Sequence, residues 1–175
     1  GPVFFRQTRL GYQGQTFTFL KFRSMYADCK DGLHKEYLKK FISGSIDGTN
    51  MGSQNSPYYK MKNDPRVTPF GKILRKTSLD ELPQFINVLL GQMSLVGPRP
   101  PIPYEVADYK NWHRKRVLDV KPGITGLWQT TGRSRTTFDE MVRLDLYYAK
   151  NWNLSLDMKI IFNTFKAVFT GFGAD

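Results

Sequence analysis

The N-terminal part of the chain alternates between apolar and polar residues as a two-stranded hairpin does. An apolar run, Val3 to Phe5, is separated by the turn-forming stretch Gly11 to Gly14 from a second run, Thr16 to Phe22. In the second run aromatic residues alternate with threonine and lysine, which is the period of a strand with one buried face. The pattern predicts a β-hairpin over residues 3–26.

Most of the remaining chain shows helical spacing instead. In the last of these segments apolar residues recur at intervals of three and four, which is typical of helices that bury one face. Thr137 followed by Glu140 adds a capping-box pattern at the start of one such segment. The predicted helices cover residues 32–42, 70–76, 80–90, 104–118, 138–150 and 156–169.

Two stretches are predicted to be irregular. Residues 43–62 are rich in glycine, serine and asparagine, and we expect a mobile loop there. Residues 122–132 contain three glycines and also look like a loop. The chain is therefore predicted to be one α+β catalytic domain over residues 1–175, with an N-terminal hairpin followed by a mainly helical part.

The last predicted helix carries an unusually apolar face. Its members fall at spacings of three and four: Met158, Ile161, Phe162, Phe165, Val168, Phe169 and Phe172. Packing into the core explains such a face. The alternative is an amphipathic membrane-interface helix, with aromatic side chains at the lipid headgroups and Lys159 and Lys166 beside them.

The composition predicts that the protein binds an anionic partner. The 26 lysines and arginines outnumber the 15 acids and give a net charge of +11, which attracts nucleic acid, an acidic membrane or phosphorylated substrates. Cys29 is the single cysteine, so an intrachain disulfide and a cysteine metal cluster are excluded. No apolar run approaches the roughly 20 residues that span a bilayer.

Asp80 and Glu81 are adjacent acids at the predicted start of the 80–90 helix. A helix N-terminus carries partial positive charge and free N–H groups, which stabilise carboxylates and attract phosphate. Ser78 and Glu81 have capping-box spacing, and Asp80 suits an N-cap. Capping and chemistry therefore both explain the pair at this point.

Basic residues flank the two acids. Lys72, Arg75 and Lys76 precede them, and Arg99 follows. Arginine supplies a planar fork that matches phosphate oxygens, and a divalent cation on paired carboxylates would neutralise a diphosphate. This context favours phosphate chemistry over a merely solvated basic face.

Two further stretches are candidates for binding a ligand. Arg99 stands between Pro98 and Pro100, which suggests a rigid arm that aims its guanidinium, or else a stiff connector. Residues 121–133 combine glycines with Gln129 and Arg133, and glycine permits close approach of the backbone to a ligand. A purely structural loop is the alternative there.

Taken in order, these motifs resemble the bacterial sugar transferase family, the monotopic phosphoglycosyl transferases. The matching segments are FFRQTRLGYQGQTFTFLKFRSM (4–25), NDPRVTPFGKILRKTSLDELPQFINVLLGQMSLVGPRP (63–100), KPGITGLWQTTGR (121–133) and LDLYYAKNW (144–152). Several separate motifs in the correct order are far more specific than any one of them, and they cover nearly the whole chain.

The resemblance implies an enzyme that transfers a sugar 1-phosphate from a UDP-sugar to polyprenyl (undecaprenyl) phosphate and releases UMP. This reaction begins surface glycan (exopolysaccharide) assembly at the cytoplasmic face of the bacterial inner membrane. The implied partners are the UDP-sugar, the polyprenyl phosphate and the membrane surface, and Mg²⁺ is the implied metal. The identity of the sugar and the formation of a homo-oligomer stay open.

The resemblance also implies roles for individual residues. Asp80 would be the covalent nucleophile and Glu81 its acidic partner, and the two acids are the expected metal ligands. Whether Glu81 binds the metal or activates the lipid phosphate stays open. Phosphate or nucleotide contacts would come from basic and amide side chains: Lys72, Arg75, Arg99, Gln129 and Arg133. Asp145 and Pro100 would support the site.

The chain departs from the family in two respects. Family members carry an N-terminal hydrophobic helix that dips into the membrane, and this chain begins just after the point where that helix would end. We therefore expect a catalytic domain without its membrane anchor. Residues 27–62 also look longer than in the smallest members, which suggests a substrate lid or a protein contact.

Two alternatives compete with the enzyme. A non-catalytic membrane-surface binding domain would not need the Asp80–Glu81 pair. A basic nucleic-acid-binding module would suit the charge, but the cations are dispersed over several predicted elements and no nucleic-acid motif is present. Nucleic acid is therefore not an expected partner.

Overall fold

A computed structural model describes residues 1–27, 32–44, 64–132 and 135–170. Its strands are β1 (Phe4–Leu10), β2 (Thr16–Phe22), β3 (Ser94–Val96) and β4 (Gly123–Thr125). Its helices are α1 (Gly32–Ser43), α2 (Pro69–Lys76), α3 (Gln84–Leu89), α4 (Pro103–Ala107), α5 (Asn111–Leu118), α6 (Leu127–Thr131), α7 (Phe138–Asn151) and α8 (Leu154–Thr170). The predicted α+β class, with an N-terminal hairpin and a mainly helical remainder, is confirmed.

The hairpin of β1 and β2 packs one face against the rest of the chain. The strands pair antiparallel, with Phe4 opposite Phe22 and Leu10 opposite Thr16. Phe17 and Phe19 are buried and form a small core with Met93, which precedes β3. Because side chains alternate along a strand, Lys21 points to the same inner face as these two aromatic residues.

The end of the hairpin holds helix α2 in place. The carbonyl of Ser24 accepts a hydrogen bond from the Thr68 N–H at 3.0 Å, and Met25 forms a β-bridge with Val67. The Thr68 side chain then caps α2 by accepting from the Gly71 N–H at 2.9 Å. A side chain at Gly71 would clash with the backbone of Ser24, so only glycine allows this close packing.

The interpretation of residues 122–132 as a loop was wrong. Residues 123–125 form β4, which pairs in parallel with β3, and residues 127–131 form α6. The glycines allow one backbone to approach another closely, because Gly97 and Gly123 face each other across the strand pair. Strands of three residues, joined by a long crossover, leave too short a pattern to recognise in the sequence.

Adding a methyl group at this crossing should be costly. A Cβ atom at Gly123 would clash with the backbone of Val96 and Gly97. We expect Gly123→Ala to lower the free energy of unfolding by about 1–3 kcal/mol, measured by urea denaturation. Gly32→Ala is the matched control, because nothing lies within 4 Å of the added atom. Equal stability of the two variants would contradict the close approach.

The predicted helix over 104–118 is two helices. The chain leaves α4 at Asp108 and enters α5 at Asn111. His113 is completely buried: its Nδ1 accepts from the Lys110 N–H at 3.2 Å and its Nε2 lies 3.0 Å from an Asp139 carboxylate oxygen. These contacts place the proton on Nε2, so this histidine is a structural link from α5 to α7.

The two C-terminal helices complete the main cores. The predicted capping box of α7 is confirmed, since Thr137 accepts from the Glu140 N–H and the Glu140 carboxylate accepts from the Thr137 N–H. Phe138 and Val142 on α7 pack with Ile42 of α1. Tyr148 of α7 packs with Val96 and Ile160 in a second cluster.

Helix α8 shows that core packing was the wrong explanation for much of its apolar face. Ile160 and Ala167 are buried, but Met158, Phe162 and Phe165 are exposed. Phe162 keeps 71% of its accessible surface. Helix α8 is therefore amphipathic with an uncovered apolar stripe on its outer side.

Two further predictions concern the loop over 43–62 and the lack of an apolar run long enough to span a bilayer. The expected loop over 43–62 lies outside the described residues, apart from Ser43 and Gly44 at the end of α1. Within the described residues, no helix combines the length and the apolarity that a bilayer crossing requires.

Candidate active site

Asp80 and Glu81 lie in a tight 3₁₀ turn, Leu79–Glu81, between α2 and α3. The predicted helix over 80–90 is therefore wrong at its start, because the regular helix begins only at Gln84. Ser78 has φ 57°, a left-handed conformation that non-glycine residues rarely adopt. This backbone turn directs Asp80 inward, where it keeps only 6% of its accessible surface.

Plain capping does not explain the two acids. The Ser78 side chain makes no capping hydrogen bond, and α3 begins after Pro83 without a side-chain cap. The capping-box interpretation of Ser78 and Glu81, and the N-cap interpretation of Asp80, are both wrong. A strained residue next to a buried carboxylate is instead typical of a functional site.

Lys21 is the closest charge to the pair. Its Nζ lies 2.6 Å from Glu81 Oε1 and 3.6 Å from Asp80 Oδ2. The ammonium group also lies 5.7 Å from the centre of the Phe19 ring, on the inner face of the hairpin. We did not identify this lysine from the sequence, and the pattern offered only one signal for it, a lysine on the same strand face as two buried aromatic residues.

Arg75 approaches Asp80 from helix α2. Its Nε donates to Ser24 Oγ at 2.9 Å, so the buried serine at the end of the hairpin fixes the guanidinium. Burial lowers the pKa of Arg75 from its ordinary value, and the nearby Asp80 carboxylate opposes that shift. The guanidinium is thus partly desolvated and close enough to Asp80 for their charges to interact.

Arg99 follows Asp80 in the sequence and lies on the segment between β3 and α4. Its charge is close enough to lower the pKa of Asp80 and that of Arg75. Pro100, beside it, is fully buried, and the Pro100 carbonyl accepts from Arg9 Nη1 at 2.8 Å. Three elements that are distant in the sequence therefore bring three cations to one carboxylate.

The electrostatics of Asp80 combine two opposing effects. Burial raises the pKa of Asp80 above its ordinary value. Lys21 most strongly, and then Arg75 and Arg99, lower it again, while the neighbouring Glu81 raises it. The result is a carboxylate that is more basic than usual but is surrounded by cations, which also suit an incoming phosphate group.

Removing the Lys21 charge should change this balance. We expect Lys21→Met to raise the pKa of Asp80 further, because the largest of the charges that favour the ionised form is lost. Titration of the Asp80 side-chain carbon by NMR measures this pKa. Lys76→Met, an exposed lysine on α2, is the control and should leave the titration unchanged. An Asp80 pKa that falls or stays constant in Lys21→Met would contradict the assignment.

The structure does not test the three other side chains that were predicted to contact phosphate or nucleotide. Lys72 is exposed one turn before Arg75 on α2. Gln129 lies on α6, where its Nε2 donates to the Ile124 carbonyl at 3.2 Å. Arg133 lies outside the described residues. A substrate contact by each of these side chains stays a prediction.

Asp145 is part of a buried ion pair on α7. Its Oδ2 lies 2.7 Å from Arg116 Nη2, and both side chains are almost inaccessible to solvent. Arg116 also donates to the carbonyl of Arg99 at 3.3 Å. Asp145 is thus linked through Arg116 to the backbone of Arg99.

Comparison with known proteins assigns the chain to a family. A sequence profile of the bacterial sugar transferase family matches residues 1–171, and the chain belongs to that family. It is 48% identical over 175 residues to "Galactosyl transferase CpsE" of Streptococcus agalactiae serotype III (strain NEM316). The alignment covers 99% of this chain and 36% of that protein.

Two other relatives carry more explicit names. The chain is 42% identical over 174 residues to "Undecaprenyl-phosphate galactose phosphotransferase" of Salmonella typhimurium, covering 99% of the chain and 35% of the relative. It is 44% identical over 179 residues to "UDP-glucose:undecaprenyl-phosphate glucose-1-phosphate transferase" of Klebsiella pneumoniae, covering 98% and 33%. The chain thus spans about a third of the length of these curated relatives.

Proposed function

We propose that this chain catalyses transfer of a sugar 1-phosphate from a UDP-sugar to polyprenyl phosphate at a membrane surface. Membership of the bacterial sugar transferase family supports the reaction class, and the names of two relatives supply both substrates. The single observation that carries the proposal is the buried carboxylate of Asp80 among Lys21, Arg75 and Arg99.

In the first step we assign the nucleophile to Asp80. Its carboxylate oxygen attacks the β-phosphorus of the UDP-sugar, and the bond from that phosphorus to the bridging oxygen breaks. UMP leaves with the bonding electron pair, and a phosphosugar remains on Asp80. The raised pKa of Asp80 makes the carboxylate more nucleophilic, and the guanidinium groups of Arg75 and Arg99 offset the charge that develops on phosphate.

In the second step a phosphate oxygen of the polyprenyl phosphate attacks the same phosphorus. The bond to Asp80 breaks, its carboxylate is restored, and a polyprenyl diphosphate sugar is formed. Glu81 is the acidic group next to the reacting centre, and its contact with Lys21 fixes its orientation. This route has two half-reactions and predicts ping-pong kinetics.

Asp80 and Glu81 are suitable as partial ligands for Mg²⁺. No group of three or more His, Cys, Asp or Glu side chains that could hold a metal occurs among the described residues. Mg²⁺ is commonly held by one or two carboxylates together with substrate phosphates, so two acids are sufficient. When bound, the metal would neutralise diphosphate charge, while Asp80 and Glu81 would hold it beside the substrate.

The remaining predicted side chains keep the roles that the family resemblance implies. Lys72, Gln129 and Arg133 would contact the nucleotide or its phosphates. Asp145 and Pro100 act behind the site, through the backbone that carries Arg99. Loss of the first three should raise KM more than it lowers kcat, because these side chains would bind a part of the substrate that does not react.

The exposed apolar side chains support a membrane surface as the setting. On and around α2 and α3 they are Phe70, Ile73, Leu79, Leu82, Phe85, Ile86, Leu89 and Leu90, and on α8 they are Leu154, Met158, Phe162 and Phe165. Soluble monomers rarely expose so many large apolar groups together. Lysines flank both sets, which suits the anionic cytoplasmic face of a bacterial inner membrane.

One substitution on α8 tests the membrane contact. We expect Phe162→Glu to weaken binding to phosphatidylglycerol-containing vesicles by about tenfold or more, since burial of a phenylalanine contributes roughly 1.5–3 kcal/mol. Sedimentation with vesicles measures the partition. Phe162→Trp should bind as the parent does, because tryptophan is favoured at the headgroup level. Equal binding of the two variants would contradict a role for this face.

The reaction itself is tested with a panel of UDP-sugars, Mg²⁺ and undecaprenyl phosphate, using the full-length protein in a membrane. UMP release that depends on one donor and on the lipid phosphate supports the proposal and names the sugar. No UMP from any donor, together with DNA binding that persists at high salt, would favour a nucleic-acid-binding module instead.

A further inference from the structure

The segment that carries Arg99 has few ways to be held in place. In residues 97–101, here called the arginine arm, Pro98, Pro100 and Pro101 have no backbone N–H. The arm is therefore fixed mainly through its carbonyl groups. Two of these accept from neighbouring backbone: Pro98 from the Gly123 N–H at 2.9 Å, and Pro101 from the Leu10 N–H at 3.0 Å.

The two central carbonyls are held by guanidinium groups instead. The Arg99 carbonyl accepts from Arg116 Nη2 at 3.3 Å, and the Pro100 carbonyl accepts from Arg9 Nη1 at 2.8 Å. Both donors are buried, with 3% exposure for Arg116 and 7% for Arg9. Consecutive carbonyls beside the substrate-facing side chain are thus each fixed by a buried cation from a different element.

Burying the guanidinium groups of Arg9 and Arg116 costs free energy, because both lose contact with water. Burial, and then the nearby charge of Arg99, lower the pKa of Arg9 to about 10, and Glu105 opposes the shift. Arg116 needs Asp145 at 2.7 Å as its counter-ion, on a helix far away in the sequence. Apolar side chains of similar volume commonly fill such space with equal or greater stability. Stability alone therefore does not explain why cations occupy these positions.

We propose that Arg9 and the Arg116–Asp145 pair are positioning residues that hold the arginine arm so that Arg99 faces Asp80. The three buried side chains contact the arm through its carbonyls, Arg9 and Arg116 directly and Asp145 through Arg116. The catalytic consequence rests on the proposed function, but the positioning of the arm does not.

The decisive variant separates stability from positioning. In Arg116→Met/Asp145→Leu the buried charges are replaced together, so we expect the melting temperature to stay near that of the parent or to rise. No donor remains for the Arg99 carbonyl, so kcat should fall about 100-fold, the effect of a displacement of about 1 Å at a reacting centre. Arg114→Met, at an exposed arginine on the same helix, is the control and should keep both values.

A second variant covers the case in which the double variant does not fold. Arg116→Lys keeps a cation near Asp145, but its side chain is one bond shorter than the path to Nη2, the nitrogen that contacts both the Asp145 carboxylate and the Arg99 carbonyl. We expect it to fold and still lose kcat. A parent-like kcat in either folded variant would overturn the proposal.

Two further measurements distinguish positioning from a general loss of packing. In an Arg99→Ala background, Arg116→Lys should lower kcat little further, because both changes act through the same side chain; additive losses would overturn the proposal. Hydrogen exchange by mass spectrometry should show faster exchange in the peptide 94–102 of Arg116→Lys. Unchanged exchange there would overturn the positioning claim, whereas a parent protein without UMP release would overturn only the proposed function.

Discussion

Asp80→Asn should lower the rate of UMP release by about 10⁴-fold or more. Asparagine keeps the size of the side chain but removes the negative charge and replaces one carboxylate oxygen with an NH₂ group. Loss of a covalent nucleophile commonly lowers the rate by this factor. Because Asp80 is buried beside Lys21, the amide also removes a partner of the ammonium group. The measurement is UMP release with a UDP-sugar, Mg²⁺ and undecaprenyl phosphate.

Two companion variants make this result specific. Asp108→Asn changes an exposed aspartate at the end of α4 and should keep the parent rate. Asp80→Glu keeps the charge but moves the oxygens, and should recover little activity because the surrounding cations are fixed. A parent-like rate of UMP release in Asp80→Asn would eliminate this residue as the nucleophile.

Arg99→Ala should produce the second largest loss, about 10²- to 10³-fold in kcat. Removal of a single hydrogen-bond donor that stabilises charge in the transition state commonly lowers kcat by this factor when the site excludes water. The effect should appear mainly in kcat, since the charge on the phosphorus oxygens grows toward the transition state. Steady-state kinetics over a range of UDP-sugar concentrations separates kcat from KM.

Arg99→Lys is the informative conservative change. Lysine keeps the charge but lacks the planar fork that matches two phosphate oxygens, so we expect only partial recovery. Arg143→Ala, at an exposed arginine of α7, should have the parent kcat. If Arg99→Ala changed neither kcat nor KM, Arg99 would have no part in the reaction, and the arginine arm would have a structural role only.

The local features of the fold could be predicted from the sequence. The hairpin followed from the alternation of aromatic and polar residues that begins at Thr16, and α7 from the Thr137–Glu140 capping box. Both signals lie within a few residues of the elements they specify. Helix α8 was also predicted, but the period alone did not show that Phe162 is exposed. Burial depends on which other elements pack against a helix, and the sequence of the helix alone does not show this.

Non-local pairing explains the features that could not be predicted. Strands β3 and β4 are three residues each, which is shorter than the roughly four to eight residues over which an alternating pattern predicts a strand. The split between α4 and α5 depends on tertiary packing around the buried Tyr109 rather than on a proline or glycine at the break. Both errors arise where contacts distant in the sequence decide the local conformation.

The candidate site shows the same division. Asp80, Glu81, Arg75 and Arg99 were found because they cluster within 25 positions and match a family pattern. Lys21 was missed because it lies 60 positions from Glu81 and charged strand residues are usually solvated. The buried states of Arg9 and Arg116 were missed for the same reason, since the sequence does not mark which cations have buried counter-ions.

The most direct test is intact-mass spectrometry of the protein after incubation with its UDP-sugar and Mg²⁺ in the absence of lipid acceptor. A covalent route predicts a mass increase of one phosphosugar, located on Asp80 by peptide mapping and absent from Asp80→Asn. Added undecaprenyl phosphate should remove the adduct. If UMP is released only when the lipid is present and no adduct forms at Asp80, transfer is direct and the proposed covalent role of Asp80 is wrong.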